Sequence, residues 1–321
     1  MELGTLLPLG DIGGSPAALK EYAQAAEDAG FDFIEAPDHV VGVNPTTHPE
    51  ERMSAGLYHD PFALFSFFTG VTPKLGFSTG VLILAQRQTT LVAKQAACLD
   101  VLCGGRFRLG VGVGWNEPEF VALNENFHNR GRRSEEQVQV MQKLWAEDHV
   151  VFKGKWHTID DAGINPRPLS GKVPIWFGGH HERTLERIAK WGDGWMPNAY
   201  PADQSALDIF ATLRKLTEQA GRGLIPTSSS VCHLPWNVTN GSAHNFCMTC
   251  TCSSERRPRL WKFSLRPVNS TSFHPTPMPS RNRPLDSTSR QAACLATSTV
   301  WRCGRIRTPV EKPSLCVQPA R

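Results

Sequence analysis

A repeated alternation of short apolar runs and helical patterns constrains the fold of this chain more than any other feature. Six such β-then-α units of similar length, joined by short connections, fill the region before residue 222. Two strands that are joined through a helix run parallel, so the pattern predicts a parallel sheet. The six predicted strands are 4–9, 31–37, 74–84, the start of 106–120, 173–177 and 194–197.

Two folds contain such a sheet, the doubly wound dinucleotide-binding fold and the (β/α)8 barrel. The doubly wound fold normally carries a GxGxxG motif on its first turn. The corresponding segment here, LGDIGGSP, lacks that spacing. We therefore predict an α/β chain of the TIM-barrel type, with ligand contacts at the C-terminal ends of its strands. Because only six β/α units are recognisable, we expect this barrel to be incomplete.

The stretch 106–120, RFRLGVGVGWNEPEF, indicates where a ligand binds. Bulky residues alternate there with Gly110, Gly112 and Gly114, and a helical pattern follows. Glycine weakens a strand, so three glycines on one face predict that something flat, such as a planar ligand, lies against that face. The alternative is a strand that merely packs tightly against a helix.

Several polar groups and glycines are expected to share the C-terminal mouth of the barrel. They are Asp38, His39, Gly80, Val81, Gly112, Gly114, Gly178, Gly179 and Asn198. Gly178 and Gly179, ahead of a helix, are expected to offer free N–H groups to a phosphate, although an ordinary tight turn has the same sequence. His39 at a strand end can hydrogen-bond a reacting oxygen or relay a proton, whereas elsewhere a histidine beside an aspartate is usually structural.

Motif content bounds the chemistry and the partners. Residues 1–225 contain no metal-binding constellation, Walker motif or zinc helix, so redox chemistry there would require an organic cofactor. We find no secretion signal and no run of about 18 apolar residues, which predicts a cytoplasmic protein with reduced thiols. The expected partner is a small-molecule substrate, with neither a membrane nor a nucleic acid.

Three blocks of the sequence resemble the luciferase-like monooxygenase superfamily, and more narrowly its branch that uses the deazaflavin coenzyme F420. They are FDFIEAPDHV, the run from TGVLIL to AKQAACLDVLCGGRFRLGVGVGWNEPEF, and the run from PIWFGG to RTLERIAKWGDGWMPN, all within residues 1–222. The resemblance implies a (β/α)8 barrel that binds a deazaflavin or flavin ring at its mouth. It also implies hydride transfer to or from a small organic substrate, and homodimers are common among such proteins.

The resemblance assigns roles to individual positions. Asp38 and His39 match a catalytic pair near the ring, and Gly80–Val81 matches a bulge, often a non-prolyl cis peptide, behind the ring. Val113 and Gly114 match the wall of the site, and Gly178 with Gly179 matches backbone that helps to hold the cofactor's phosphate-bearing tail. From its place after the sixth strand, Asn198 is a further candidate for cofactor binding.

The chain departs from the family pattern at one position. Some F420-dependent dehydrogenases have a glutamate acid where this chain has Trp115, and although Glu117 and Glu119 lie nearby, the identity of the proton donor stays open. The resemblance also leaves open FMN in place of F420, and monooxygenation in place of dehydrogenation.

Residues 223–321 differ in character from the rest. Residues 1–225 hold 21 of the 34 basic and 27 of the 30 acidic residues, whereas the last 96 hold 13 bases, 3 acids and seven of the nine cysteines. A zinc or nucleic-acid module around Cys247, Cys250 and Cys252 would explain the cysteines, and a disordered tail would explain the Ser and Pro content. An excess of Arg over Lys together with Ser, Pro, Cys and Trp favours a third explanation, translation in a shifted frame after Arg222.

A barrel that lacks its last quarter is expected to have open edges at its first and sixth strands. Such edges would make the protein marginally stable and its cofactor binding weak. A non-catalytic barrel remnant is therefore the alternative to an active F420-dependent oxidoreductase or FMN-dependent monooxygenase.

Overall fold

The computed structural model describes residues 2–48, 56–197 and 204–222, and the backbone of the strands at 227–234, 246–252, 261–262 and 318–319. The chain divides into two units, residues 1–258 and residues 259–321. In the second unit the described strands are Trp261–Lys262 and Gln318–Pro319, which pair antiparallel. All predicted site residues belong to the first unit.

The first unit alternates strands and helices in the predicted order. Its strands are Glu2–Leu6 (β1), Phe33–Ala36 (β2), Gly76–Thr79 (β3), Leu82–Ile83 (β4), Phe107–Gly112 (β5), Val150–Lys153 (β6), Thr158–Ala162 (β7), Ile175–Gly178 (β8), Gly194–Met196 (β9), Thr227–Leu234 (β10) and Phe246–Cys252 (β11). Its helices are Leu9–Ile12 (α1), Pro16–Asp28 (α2), Pro61–Thr69 (α3), Thr89–Cys103 (α4), Glu117–Ala122 (α5), Arg130–Ala146 (α6), Glu182–Trp191 (α7) and Gln204–Gln219 (α8).

Six of these strands form the predicted parallel sheet. β1 pairs with β2, β2 with β3, β3 with β5, β5 with β8 and β8 with β9, all in parallel. The short strand β4 continues the chain of β3 and pairs with the end of β5. β6 and β7 form a separate antiparallel hairpin. The predicted α/β class and the six β/α units are confirmed.

Two further strands join the edges of this curled sheet. β10 pairs parallel with β9, and β11 pairs antiparallel with both β10 and β1. The expectation of open edges at the first and sixth strands is therefore wrong, because both strands have partners. The last strand is unlike that of a (β/α)8 barrel, in which all eight strands run parallel. β10 also lies beyond the predicted domain boundary at residue 222.

Local sequence signals explain several helix ends. The Ser15 hydroxyl accepts a hydrogen bond from the Ala18 N–H at the start of α2, and Gly104 ends α4 in the left-handed conformation that glycine favours. Ser134 and Gln137 have the sequence spacing of a capping box and would predict a helix start there, but α6 already begins at Arg130. The Gln137 amide instead donates to backbone carbonyls of the segment before α4.

Candidate functional site

Residues 79–83, from the end of β3 through β4, form a bulge. This bulge lies across the glycines at positions 110, 112 and 114. Its Gly80–Val81 peptide is cis, as the family resemblance predicts. A Cβ at Gly112 would lie 2.5 Å from Cγ2 of Val81, and one at Gly110 would overlap the carbonyl oxygen of Thr79. A Cβ at Gly114 would lie 2.6 Å from Cγ2 of Ile83. On their Cβ side the glycines therefore admit the chain's own bulge, which corrects the expectation that a planar ligand lies against that face.

Val81 itself is held from two sides by glycines. Besides its contact at Gly112, a Cβ at Gly178 would lie 2.7 Å from Cγ1 of Val81. Gly112 and Gly178 stand at the C-terminal ends of the neighbouring strands β5 and β8. The Val81 side chain is half-buried at this edge, where it forms an apolar surface at the mouth of the strand ring.

Asp38 fastens the end of β2 to the bulge. Its buried carboxylate accepts hydrogen bonds from the Ile83 N–H at 3.1 Å and from Nε and Nη2 of Arg87 at 3.2 and 2.7 Å. Arg87 also contacts the Asp60 carboxylate at 2.9 Å. Burial alone would lower the pKa of Arg87, but the hydrogen bonds and charges of the two aspartates outweigh it and raise that pKa. The Asp38 carboxylate is thus fully engaged in holding the site together.

The neighbouring His39 has a different carboxylate as its partner. Its Nδ1 lies 3.3 Å from Oε2 and 3.4 Å from Oε1 of Glu119, near the start of α5. The His39 side chain is 17% exposed and that of Glu119 only 1%. Glu117, the other acidic candidate on α5, is exposed and lies 3.8 Å from His128. The structure therefore brings Glu119, and not Glu117, to His39.

Two aromatic rings flank the imidazole of His39. The ring of Tyr58 meets it edge-on with centroids 4.9 Å apart, and the ring of Trp115 does so at 6.3 Å. Trp115 is 52% exposed, which is unusual for so large an apolar side chain. At the position where the resemblance implies a glutamate acid in some dehydrogenases, this chain presents an indole next to His39.

The Gly178–Gly179 turn differs from its predicted use. The Gly179 N–H donates to the carbonyl of Met196 at 3.0 Å, and the Gly179 carbonyl accepts from Nε1 of Trp195 at 2.7 Å. The expectation of a free N–H at Gly179 is therefore wrong. Gly179 has a φ of +100°, a conformation that requires glycine.

A small pocket opens beside this turn. Its lining consists of Leu84, Val111, Gly112, Val113, Ser134, Phe177, Gly178, Thr184 and Arg187. Two hydroxyls and one guanidinium thus border an otherwise apolar space. The Arg187 side chain is nearly buried, and its Nε donates to Oε1 of Glu135 at 2.9 Å. Asn198, the last predicted contact, lies outside the described residues.

Comparison with known proteins agrees with this architecture. The family described as "Luciferase-like monooxygenase" matches residues 1–234. The chain belongs to this family. A relative named an uncharacterised protein of Mycobacterium tuberculosis is 33% identical over 209 residues, which is 62% of this chain and 71% of that protein.

Two further similar proteins have informative names. An FMNH2-dependent dimethylsulfone monooxygenase of Pseudomonas fluorescens is 28% identical over 186 residues, 56% of this chain and 47% of the relative. The solved structure of an F420-dependent secondary alcohol dehydrogenase with an F420-acetone adduct superposes with a TM-score of 0.58 at 27% identity, covering 69% of this chain and 66% of that one.

Glu35, a buried acid on β2, was not predicted from the sequence. Glu35 on β2 is 2% exposed, and a Cβ at Gly80 would overlap its carboxylate. Burial raises the pKa of Glu35 to about 7, although the charge of Arg108 partly opposes this. The signal was present in the sequence, since Glu35 has the inward phase of Phe33 in a two-residue strand period.

The part of the chain that the structure describes has neither a metal-binding cluster nor a helix that could cross a membrane. There, no three His, Cys, Asp or Glu side chains come together as a metal site. None of the described helices has the length and apolarity that crossing a bilayer requires.

Proposed function

We propose that this chain is an oxidoreductase that transfers a hydride between a deazaflavin or flavin cofactor and a small organic substrate. The observation that carries the proposal is the bond between Asp38 and the bulge. It fixes the end of β2, and with it His39, to the segment that contains the cis Gly80–Val81 peptide. A general acid–base group and an apolar side chain, Val81, are thereby held at the same edge of the sheet.

The residues present fit a planar ring with an anionic tail. Val81 provides the apolar surface, and the pocket beside Gly178 adds the Thr184 hydroxyl and the guanidinium of Arg187. The Ser134 hydroxyl in the same pocket already donates to the Gly131 carbonyl. We assign the cofactor to Gly80, Val81, Val113, Gly114, Gly178, Gly179 and Asn198. When bound, it supplies the two-electron carrier that amino-acid side chains lack.

His39 is the residue that we assign to the substrate. A histidine imidazole can hydrogen-bond a reacting oxygen and take up or return the proton that accompanies the hydride. Asp38 contributes by holding Arg87 and Ile83, which keeps the His39 backbone in place. Tyr58 and Trp115 shield the imidazole from water on two sides.

We favour F420 as the cofactor because the F420-dependent alcohol dehydrogenase is 27% identical over 69% of the chain. The FMNH2-dependent monooxygenase relative supports FMN as the alternative. The match spans 47% of the FMNH2-dependent relative and 66% of the F420-dependent one.

Separate titrations of the full chain with oxidised F420 and with FMN, followed by the visible absorbance of each ring, test the proposal. We expect a saturable spectral change with F420 and a weaker one, or none, with FMN. Saturation by FMN alone would favour the monooxygenase alternative. No change with either compound would overturn the proposal in favour of a non-catalytic barrel remnant.

A further inference from the structure

Glu119 is a buried carboxylate whose hydrogen-bond partners are all donors. Its Oε1 accepts from the backbone N–H groups of Val40 at 2.9 Å and Val41 at 3.4 Å. Its Oε2 accepts from Nε2 of Gln86 at 3.4 Å, and it is also the oxygen closer to Nδ1 of His39. A carboxylate in this setting can only accept, so the His39 nitrogen that faces it must carry a proton.

Other charged groups near His39 are already paired elsewhere. Asp38 is engaged by Arg87 and the Ile83 N–H, and Glu117 points to His128. The described neighbours packed on the imidazole itself are the rings of Tyr58 and Trp115. Among the described residues, Glu119 is therefore the carboxylate that contacts a ring nitrogen of His39.

We propose that Glu119 is a positioning residue that holds the proton of neutral His39 on Nδ1 and leaves Nε2 free to accept one. The inference rests on the proposed function, in which His39 meets the reacting oxygen. An imidazole whose tautomer is fixed by a carboxylate presents its other nitrogen as a base in a defined orientation. Two backbone N–H groups and the Gln86 amide hold the Glu119 carboxylate in place, because turning away would break all three hydrogen bonds.

The substitution Glu119→Gln tests this assignment because glutamine has only one acceptor oxygen. The Val40 N–H, which makes the shortest bond, retains that oxygen, so the amide nitrogen replaces Oε2. An NH2 group then stands where Oε2, the nearer oxygen at 3.3 Å, faced Nδ1 of His39, and this favours Nδ1 as an acceptor. The proton of neutral His39 is expected to move to Nε2.

The measurement is a long-range proton–nitrogen correlation spectrum of the full chain labelled with ¹⁵N-histidine. It is recorded without cofactor and at a pH at which the imidazole ring is neutral. His39→Gln identifies the signal by its loss. We expect Nδ1 to show the protonated nitrogen shift in the wild type and Nε2 to show it in Glu119→Gln. Glu117→Gln, on the same helix but exposed, is the matched control and should keep the wild-type pattern.

Two results would overturn the inference. One is a wild-type spectrum with the proton on Nε2, which is decisive even if Glu119→Gln does not fold. The other is an unchanged tautomer in a folded Glu119→Gln protein. Because no cofactor is present, absence of flavin or F420 binding would refute the proposed function while leaving this result standing.

Discussion

Val81 occupies the space that a side chain at Gly112 would need, since a Cβ there would lie 2.5 Å from Cγ2 of Val81. The same relation holds one step away on either side, where Gly110 meets Thr79 and Gly114 meets Ile83. The glycines at every second position from 110 to 114 thus face the residues at every second position of the bulge, from 79 to 83. This register explains why the end of β5 is bare.

Gly112→Ala is expected to destabilise the protein by about 1–3 kcal/mol, because the new methyl group overpacks against Val81. Trimming the neighbour in Gly112→Ala/Val81→Ala should recover part of that loss, with a coupling of about 0.5–3 kcal/mol in the double-mutant cycle. Denaturant unfolding of the wild type, Gly112→Ala, Val81→Ala and the double variant gives these values. Gly10→Ala, with open space around its Cβ, is the control and should be nearly neutral. Additive effects of the two substitutions would contradict the predicted contact.

Glu35 should make stability fall with rising pH. Burial raises the pKa of Glu35 from 4.5 to about 7, so the folded state retains a proton that the unfolded state releases. The loss of folding stability from ionising Glu35 is absent below pH 4.5 and grows between pH 4.5 and 7. Above pH 7 it is complete and is on the order of 3 kcal/mol. Glu35→Gln should flatten this part of the profile in urea unfolding between pH 4.5 and 8. An identical slope in both proteins would rule out the effect.

Glu136 should act in the opposite direction at lower pH. Burial alone would raise the pKa of its carboxyl, but hydrogen bonds from the Trp156 N–H, the His157 ring and the Lys155 N–H lower it. This carboxylate therefore stabilises the fold above its unfolded pKa of 4.5, and the stabilisation is lost as pH falls through the lower folded value. Its contacts fix the turn between β6 and β7 against α6.

Glu136→Gln, with one acceptor oxygen for these donors, is expected to be less stable than wild type by about 1–3 kcal/mol at pH 7. The difference between the two proteins should shrink as pH drops below 4.5 in a series of unfolding titrations. Glu21→Gln, at an exposed glutamate, serves as the control. A stability difference that is the same at pH 3 and pH 7 would contradict this role of the Glu136 carboxylate.

Features that depend on neighbouring residues were predictable from the sequence. Ser15 and Gly104 mark helix ends through their own backbone and side-chain chemistry, and the six strands follow from local apolar runs. The positions of Asp38 and His39 follow from the end of β2. The cis Gly80–Val81 peptide was available only through the family resemblance.

Features that depend on distant partners were not predictable. Glu119 meets His39 across 80 positions of the chain, and no local spacing distinguishes it from Glu117. The Gly179 N–H is consumed by the carbonyl of Met196 on the next strand, so a free anion site could not be excluded beforehand. Ser134 and Gln137 have the spacing of a capping box, but Gln137 is used in tertiary hydrogen bonds.

The segment after the sixth β/α unit supports the proposal of a shifted reading frame. β11 runs antiparallel where a barrel of this family type would have a parallel strand. Translation of the coding DNA in the other two frames beyond codon 222 should reveal two further β/α units. If neither frame encodes such an alternation, the proposal is wrong and the tail is native.

The central claim is that Val81 is the surface on which the cofactor ring lies. We would measure cofactor binding by equilibrium dialysis to wild type, Val81→Glu and Val151→Glu, the last being an exposed control, after confirming that each melts cooperatively. Covering a carboxylate with a ring is costly, so Val81→Glu should weaken binding by more than about tenfold, while Val151→Glu should bind like wild type. Wild-type affinity in a folded Val81→Glu protein would contradict the account.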